Sequence, residues 1–221
     1  MSFVNADALI MNLIISLLSG FITALIGITP PGLLNMTAAK VNLKEGRRNA
    51  FWFVFGAIII IFCQVYLAIL FARVIDIRPD IVVLLREIGF ALFGALTVYF
   101  LWIAKEPKIK KAKIKKISKK KRFFLGMLLS SLNFFPIPYY VFVSITLSSY
   151  QIFSFSSSSI LSFVIGSVLG STLVFYFYIA FFQKIENKAD YLLKNMNRII
   201  GSITGLISIV TLFNIIKYYL R

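Results

Sequence analysis

The stretch "GITPPGLLNM" (residues 27–36) lies inside an uncharged run that extends from residue 8 to residue 39. As one straight α-helix, this run would be about 48 Å long at 1.5 Å per residue, which exceeds the ~30 Å hydrocarbon core of a bilayer. Proline removes a backbone donor and clashes with the preceding turn. We therefore expect a helix that is broken at Pro30 and Pro31. In lipid, the freed carbonyls must face protein or a water-filled cavity.

The rest of the composition also favours a membrane protein. Hydrophobic residues make up 59% of the 221-residue chain, and charged residues make up 14%. A β-barrel would show alternating segments of roughly 10 residues, whereas the apolar runs here are long and continuous. We predict an all-α integral membrane protein with six transmembrane helices, at residues 8–29, 51–72, 81–103, 123–147, 156–182 and 197–217.

Charge and residue type exclude several functional classes. The formal net charge is +16, but the basic residues lie in short connectors, so a nucleic-acid-binding face is not expected. The chain has no histidine and one cysteine, Cys63, so no metal site, disulfide or cofactor is predicted. A membrane enzyme would need a reactive cluster, and no GxxxxGK[ST] motif is present for ATP-driven work. The chain is not expected to be an enzyme.

The basic residues also predict orientation. Nineteen Lys and Arg lie in the connectors 40–50, 104–122 and 183–198, against four on the opposite side. The positive-inside rule then places both termini outside the cytoplasm and the basic loop 104–122 inside. A Lys- and Ile-rich chain of this kind suits a bacterial cytoplasmic (inner) membrane. The basic run is either a topology anchor near anionic lipid headgroups or a docking arm for a partner.

Three landmarks recur in the two halves of the chain. Gly20 precedes Pro30 by ten residues, as Gly126 precedes Pro136. "FVFGA" (residues 53–57) corresponds to "FVIGS" (163–167), and an Arg followed by two glycines occurs in the third and sixth spans. We predict a three-helix repeat at 1–104, a basic connector at 105–122 and a second repeat at 123–221. An odd number of spans per repeat gives the copies opposite orientations, an arrangement that is typical of secondary transporters.

Several segments resemble the LysE/RhtB-type translocators, which are six-segment exporters of amino acids and related metabolites. The resemblance rests on "FITALIGITPPGLLNMTAAKVNLKEGRRNAFWFVFGA" (21–57), "GALTVYFLWIA" (94–104) and "FFLGMLLSSLNFFPIPYYVFVS" (123–144). The family's Pro-Gly-Pro element is Pro-Pro-Gly here, and Leu33 follows it where an acidic residue is common. The resemblance implies a secondary exporter of a small polar metabolite, driven by the proton gradient. The two departures from the family motif indicate a divergent branch of the family with its own cargo.

Polar and helix-breaking residues at mid-span depth are the predicted site. Interrupted helices from both repeats would meet near the midplane and contact the solute. This substrate pathway is predicted to comprise Thr29, Pro30, Pro31, Gly32, Asn35, Gln64, Asn133, Pro136 and Pro138. The candidates for proton coupling are Glu87 first, then Glu45 beside the loop arginines, and Arg86. Arg86 and Glu87 lie near a helix end and could equally be anchors.

The sequence leaves open whether the chain forms a homodimer and whether its basic loop binds a partner. Small residues at four-residue spacing allow close helix packing, either within one chain or in a homodimer, and they occur at Gly166, Gly170, Gly201 and Gly205. The expected partners are an amino-acid-like solute and membrane lipids, with no nucleic acid. The alternative function is a non-transporting assembly or regulatory subunit that docks through the basic loop 105–122.

Overall fold

The computed structural model describes residues 2–30, 32–76, 79–104, 118–133 and 135–220. In these residues the fold is helical. The helices, in chain order, are α1 (Ser2–Ile28), α2 (Leu33–Glu45), α3 (Arg47–Asp76), α4 (Pro79–Val98), α5 (Lys119–Ser131), α6 (Pro136–Ser149), α7 (Ser157–Lys194) and α8 (Met196–Tyr219). A π-helical segment, Tyr99–Ile103, continues α4.

Four of these helices contain stretches that are long and apolar enough to cross a membrane: Leu9–Ile28, Arg47–Asp76, Ser157–Phe181 and Ile200–Tyr219. α5 and α6 count as a fifth span if they are taken together, although they are bent by 59° at their junction. The third predicted span, 81–103, has a shorter apolar stretch, Glu87–Ile103. The all-helical prediction is thus confirmed, with four or five of the six predicted spans in the described part of the chain.

The chain forms two compact units. The larger comprises Met1–Arg73 and Ala112–Gln183, and the smaller comprises Val74–Lys111 and Lys184–Arg221. The larger unit therefore holds α1, α2, α5, α6 and most of α3 and α7. The division predicted from the sequence, at 1–104, 105–122 and 123–221, follows the repeat, whereas these two units are defined by contacts. The predicted division therefore stays a prediction.

Glycine allows two pairs of helices in the larger unit to touch backbone to backbone. A Cβ built on Gly56 of α3 would lie 2.0 Å from the Phe123 carbonyl oxygen, and one on Gly126 of α5 would lie 2.0 Å from the Phe53 carbonyl oxygen. α1 and α7 make the same kind of contact. A Cβ on Gly20 would lie 2.0 Å from the Phe163 oxygen, and one on Gly166 the same distance from the Leu17 oxygen. No side chain fits at these four positions.

The smaller unit is built on the contact between α4 and α8. The Thr97 hydroxyl donates to the Thr204 hydroxyl at 3.0 Å, and Asn197 Nδ2 donates to the Ala104 carbonyl at 2.8 Å. Residue numbers increase along one helix as they decrease along the other, so the two helices are antiparallel. Polar contacts of this kind hold apolar helices in a fixed register.

The four glycines that raised the question of a homodimer pack within their own chain. Gly166 and Gly170 meet the Leu17 and Phe21 carbonyls of α1. In the smaller unit, Gly201 meets the Leu101 side chain and Gly205 meets Thr97. Internal packing accounts for the absence of a side chain at each position, and a homodimer through them stays a prediction.

Candidate functional site at the helix breaks

The first break lies between Ile28, where α1 ends, and Leu33, where α2 begins. Its carbonyls are bound by side chains from two helices. Asn35 Nδ2 of α2 donates to the carbonyl oxygens of Ile28 at 2.5 Å and Pro30 at 3.2 Å. The Tyr178 hydroxyl of α7 donates to the Thr29 carbonyl at 2.8 Å. The break that Pro30 predicts is therefore present, and its freed acceptors are stabilised by protein donors.

The second break lies between Ser131, where α5 ends, and Pro136, where α6 begins. Gln64 Nε2 of α3 donates to the carbonyl oxygens of Asn133 at 2.9 Å and Ser130 at 3.2 Å. One carboxamide thus bridges two backbone carbonyls at each break; of these, the Ser130 carbonyl also accepts the Asn133 N–H at 3.0 Å. Proline is favoured in a first helical turn, where its missing donor would be unsatisfied anyway, and Pro136 begins α6 accordingly.

The halves of the two broken segments contact each other crosswise. α1 contacts α6, and α2 contacts α5. Tyr139 of α6 makes the first of these contacts specific, because its hydroxyl donates to the Thr23 carbonyl of α1 at 2.9 Å. Its ring lies against Gly27, where a Cβ would be 2.6 Å from the ring atom Cε1. The two breaks therefore belong to one packed region of the larger unit.

Three buried oxygens at the breaks have no hydrogen-bond partner. They are Asn35 Oδ1, Gln64 Oε1 and Ser130 Oγ. Asn35 and Gln64 are 3% and 7% exposed, and Ser130 is fully buried. Because a buried acceptor without a donor costs about 1–3 kcal/mol, native structures rarely retain one without a reason. In each bridging carboxamide the nitrogen donates hydrogen bonds to carbonyls at the break, and the oxygen accepts none.

A buried ion pair joins the far end of α2 to the start of α5. Arg122 Nε donates to Glu45 Oε2 at 2.8 Å, and Arg122 Nη2 donates to Glu45 Oε1. The two side chains are 4% and 0% exposed. Glu45 lies at a helix C-terminus and Arg122 in a first helical turn, the ends at which the helix dipole disfavours their charges. Each charge is therefore stabilised by the other rather than by its own helix.

The structure separates the three candidates for proton coupling. Glu45 forms the pair with Arg122, an arginine far along the chain, rather than with its neighbours Arg47 and Arg48. Glu87 is exposed and accepts a hydrogen bond from the Tyr219 hydroxyl at 2.8 Å within the smaller unit. The side chain of Arg86 lies outside the described residues.

The predicted pathway residues have different positions. Asn35 and Gln64 bridge the breaks, while Thr29, Pro30 and Gly32 form the first break and Pro136 and Pro138 belong to the first turn of α6. Asn133 contributes its carbonyl, and its side chain is exposed. Pro31 lies outside the described residues. The prediction missed Tyr139, Tyr178, Ser130 and Arg122, although tyrosine and serine inside long apolar runs were a usable signal.

Metal binding finds no support in the described part of the chain, where no group of three or more His, Cys, Asp or Glu side chains lies close enough together. The oxygens at the breaks are neutral carbonyl, carboxamide and hydroxyl groups. Such a set can bind hydrogen-bond donors and cations of low charge, but it supplies no general base for catalysis.

These features define a multi-pass helical membrane protein with a polar, backbone-lined interruption among its apolar helices. The family model for the LysE type translocator matches residues 25–214. The chain therefore belongs to the LysE type translocators, a family of membrane transporters. No curated protein and no solved structure matches it.

Proposed function

We propose that this protein is a secondary transporter that exports amino acids or related small polar metabolites across the cytoplasmic membrane. The observation that carries this proposal is the pair of crossed helix breaks, each bridged by a carboxamide whose oxygen lacks a donor. Irregular backbone at membrane depth is tolerated where it lines a cavity, and secondary transporters bind their substrates at such breaks. Membership of a translocator family supports the same conclusion.

The glycine contacts support an inverted repeat. The sequence comparison pairs Gly20 with Gly126 and Gly56 with Gly166. In the larger unit, Gly20 and Gly166 contact each other's helices, and so do Gly126 and Gly56. Each equivalent glycine thus meets the same partner position, three residues before the other glycine. This reciprocity is the pattern that an internal two-fold relation between the two predicted repeats would produce.

Proton coupling requires a group that can exchange a proton during the cycle. Glu87 is exposed and hydrogen-bonded to a tyrosine hydroxyl, whereas Glu45 is held by two bonds from Arg122. We therefore keep Glu87 as the first candidate for the proton-binding residue. Replacing it by Gln should uncouple export from the proton gradient and leave the fold unchanged.

We also propose a bacterial inner membrane as the location, with the basic connectors in the cytoplasm. The argument is the distribution of Lys and Arg, nineteen on one side and four on the other. Four consecutive basic residues, Lys119 to Arg122, open α5 on this side. The Glu45–Arg122 pair would then close the cytoplasmic end of the contact between α2 and α5.

The test is an efflux assay in cells with and without the protein. Cells are preloaded with labelled amino acids and dipeptides, and release is followed with the proton gradient intact or collapsed by a protonophore. The proposal expects faster, gradient-dependent loss of one class of solute. The variants Pro30→Ala and Pro136→Ala should reduce this loss, while deletion of residues 105–117 should spare it.

The docking alternative expects the opposite pattern. A non-transporting subunit would release no labelled solute faster than control cells. Its partner binding would fail on deletion of the basic run and survive both proline substitutions. That pattern would reject the transport proposal.

A further inference from the structure

We infer that Arg47 binds the phosphate of an anionic phospholipid whose acyl chain lies along an exposed aromatic stripe of α3. We call this surface the Arg47 site, and it is formed by Arg47, Phe51, Phe55 and Tyr176. The inference concerns the membrane around the protein and does not depend on the transport proposal. It follows from a guanidinium held between two rings, from its uncommitted donors, and from the apolar surface beside it.

Two aromatic rings from different helices hold the Arg47 side chain. Arg47 begins α3, and Phe51 lies four residues later, on the same face of the helix. The guanidinium carbon is 5.4 Å from the Phe51 ring centroid and 5.4 Å from the Tyr176 ring centroid of α7. A cation within about 6 Å of a ring face is attracted to it. The guanidinium is therefore fixed where α3 and α7 meet in the larger unit.

The N–H groups of this guanidinium are not used elsewhere. Within the described ranges, the Arg47 side chain forms no hydrogen bond and no ion pair. The acidic residue nearest in sequence, Glu45, is bound by Arg122 instead. Arginine presents five N–H donors in a planar fork that matches the oxygens of a phosphate group. Because Arg47 is exposed, it can bind a phosphate without losing another partner.

The depth of the Arg47 site matches the head groups of a bilayer. Arg47 is the first residue of the apolar stretch Arg47–Asp76, and Tyr176 lies five residues before the end of the stretch Ser157–Phe181. Five residues of helix correspond to about 8 Å, so both residues lie near the edge of the hydrocarbon core. Tyrosine is enriched at this interface. A phospholipid beside α3 therefore presents its phosphate near the height of the guanidinium.

The surface next to Arg47 is suited to an acyl chain. Phe55 continues the face of Phe51 by one helical turn, and the two side chains are 54% and 43% exposed. Phe62 and Tyr66 extend the exposed aromatic surface of α3 and stack on each other at 6.3 Å. A soluble phosphate would use none of this stripe, and a second copy of a chain with a net charge of +16 would be repelled. An anionic phospholipid matches both the charge and the stripe.

The test uses Trp52 as a reporter, because it follows Phe51 and its ring centroid is 6.2 Å from that of Phe55. Trp102, the second of the two tryptophans, is replaced by Phe. This protein is reconstituted in vesicles of phosphatidylcholine and phosphatidylglycerol, with brominated acyl chains on one lipid at a time. Bromine quenches tryptophan on contact, so quenching gives the relative affinity of the two lipids. We expect a preference of roughly fivefold for phosphatidylglycerol, as for one basic residue near anionic lipid.

Variants in this background separate the site from general attraction to a basic surface. Arg47→Gln should lower the preference to about one. Arg48→Gln is the matched control and should keep most of it, because Arg48 is adjacent and exposed but has no ring contact within the described ranges. Arg47→Lys should give an intermediate value, since an ammonium lacks the planar fork. Tyr176→Leu should lower the preference about twofold, whereas Tyr176→Phe keeps the ring and should not.

Three results would overturn the inference. Equal affinity for the two lipids in the Trp102→Phe protein would exclude the site, and this comparison needs no further variant to fold. Equal losses in Arg47→Gln and Arg48→Gln would show attraction by charge alone. Removal of the preference by glycerol 3-phosphate in solution would indicate a site for soluble phosphates rather than for a lipid. Efflux is measured separately, so a failure of the transport proposal leaves the result of this test unchanged.

Discussion

A carbonyl released by a broken helix needs a donor of its own, and three side chains supply donors here. Tyr178 serves Thr29, Asn35 serves Ile28 and Pro30, and Gln64 serves the second break. Each donor comes from a position that is buried in the larger unit. The breaks are therefore fixed features of the fold rather than frayed helix ends.

The Tyr178 bond gives a test at this scale. Tyr178→Phe keeps the ring and removes the donor to the Thr29 carbonyl, so it should lower the free energy of unfolding by about 1–2 kcal/mol. Unfolding in mixed detergent, followed by tryptophan fluorescence, measures this. Tyr176→Phe, two residues away and exposed, should change stability by less than about 0.5 kcal/mol. Equal effects would show that the Tyr178 bond does not stabilise the break.

At the scale of helices, close packing depends on single glycines. The pairs α3–α5 and α1–α7 meet where a carbonyl oxygen of one helix occupies the Cβ position of the other. Backbones that approach this closely gain van der Waals contact over a long surface, which is the main source of association between membrane helices. The two pairs should therefore move as rigid bodies.

Gly126→Ala tests the α3–α5 contact. The new methyl group would lie 2.0 Å from the Phe53 carbonyl oxygen, so the helices must separate, at a cost of about 1–3 kcal/mol or more. Gly89→Ala is the control, because a Cβ there meets nothing within 4 Å. It should be neutral or stabilise the helix by up to about 1 kcal/mol. Unfolding curves of both variants in detergent give the change in the free energy of unfolding. An unchanged stability of Gly126→Ala would contradict the close contact between α3 and α5.

The pair of Glu45 and Arg122 tests the contact between α2 and α5. Glu45→Met or Arg122→Met alone leaves a buried charge unpaired and should cost about 3–5 kcal/mol, whereas the double variant should recover most of that loss. A double-mutant cycle on the free energy of unfolding measures the coupling. Additive single effects would mean that the two side chains do not depend on each other.

At the scale of the whole molecule, the positions of the basic connectors predict how the chain crosses the membrane. Cys63 is the single cysteine and is exposed on α3, so labelling studies need a Cys63→Ser background. Ser118 precedes the basic start of α5, and Ser158 lies near the start of α7. Both residues are exposed.

Orientation can then be measured with a membrane-impermeant maleimide. In intact cells, Ser158→Cys should react and Ser118→Cys should not, because the positive-inside rule places the basic connectors in the cytoplasm. Permeabilised cells provide the control, since both cysteines should react there. Labelling of Ser118→Cys in intact cells would reverse the proposed topology.

The sequence predicted the features that depend on a single residue and its chain neighbours. Pro30 and Pro136 break helices through their own rings, so both breaks could be located from the sequence, and Asn35 and Gln64 stood out as amides in apolar runs. Tyr139 and Tyr178 were missed because tyrosine is common at membrane edges and the sequence does not show which carbonyl its hydroxyl reaches. The partner of Glu45 lies on a distant helix, and only the packing of α2 against α5 selects Arg122 over the neighbouring arginines.

The contact between Gly126 and Phe53 also bears on how the protein is made. α5 has 13 residues, which is about 20 Å of helix and too short to span a ~30 Å hydrocarbon core alone. α3 is synthesised earlier and is long enough to insert by itself. α3 should therefore already be in the bilayer when α5 is synthesised, and α5 can then pack against the face of α3 that carries Phe53 and Gly56. We therefore expect membrane insertion of α5 to depend on the presence of α3.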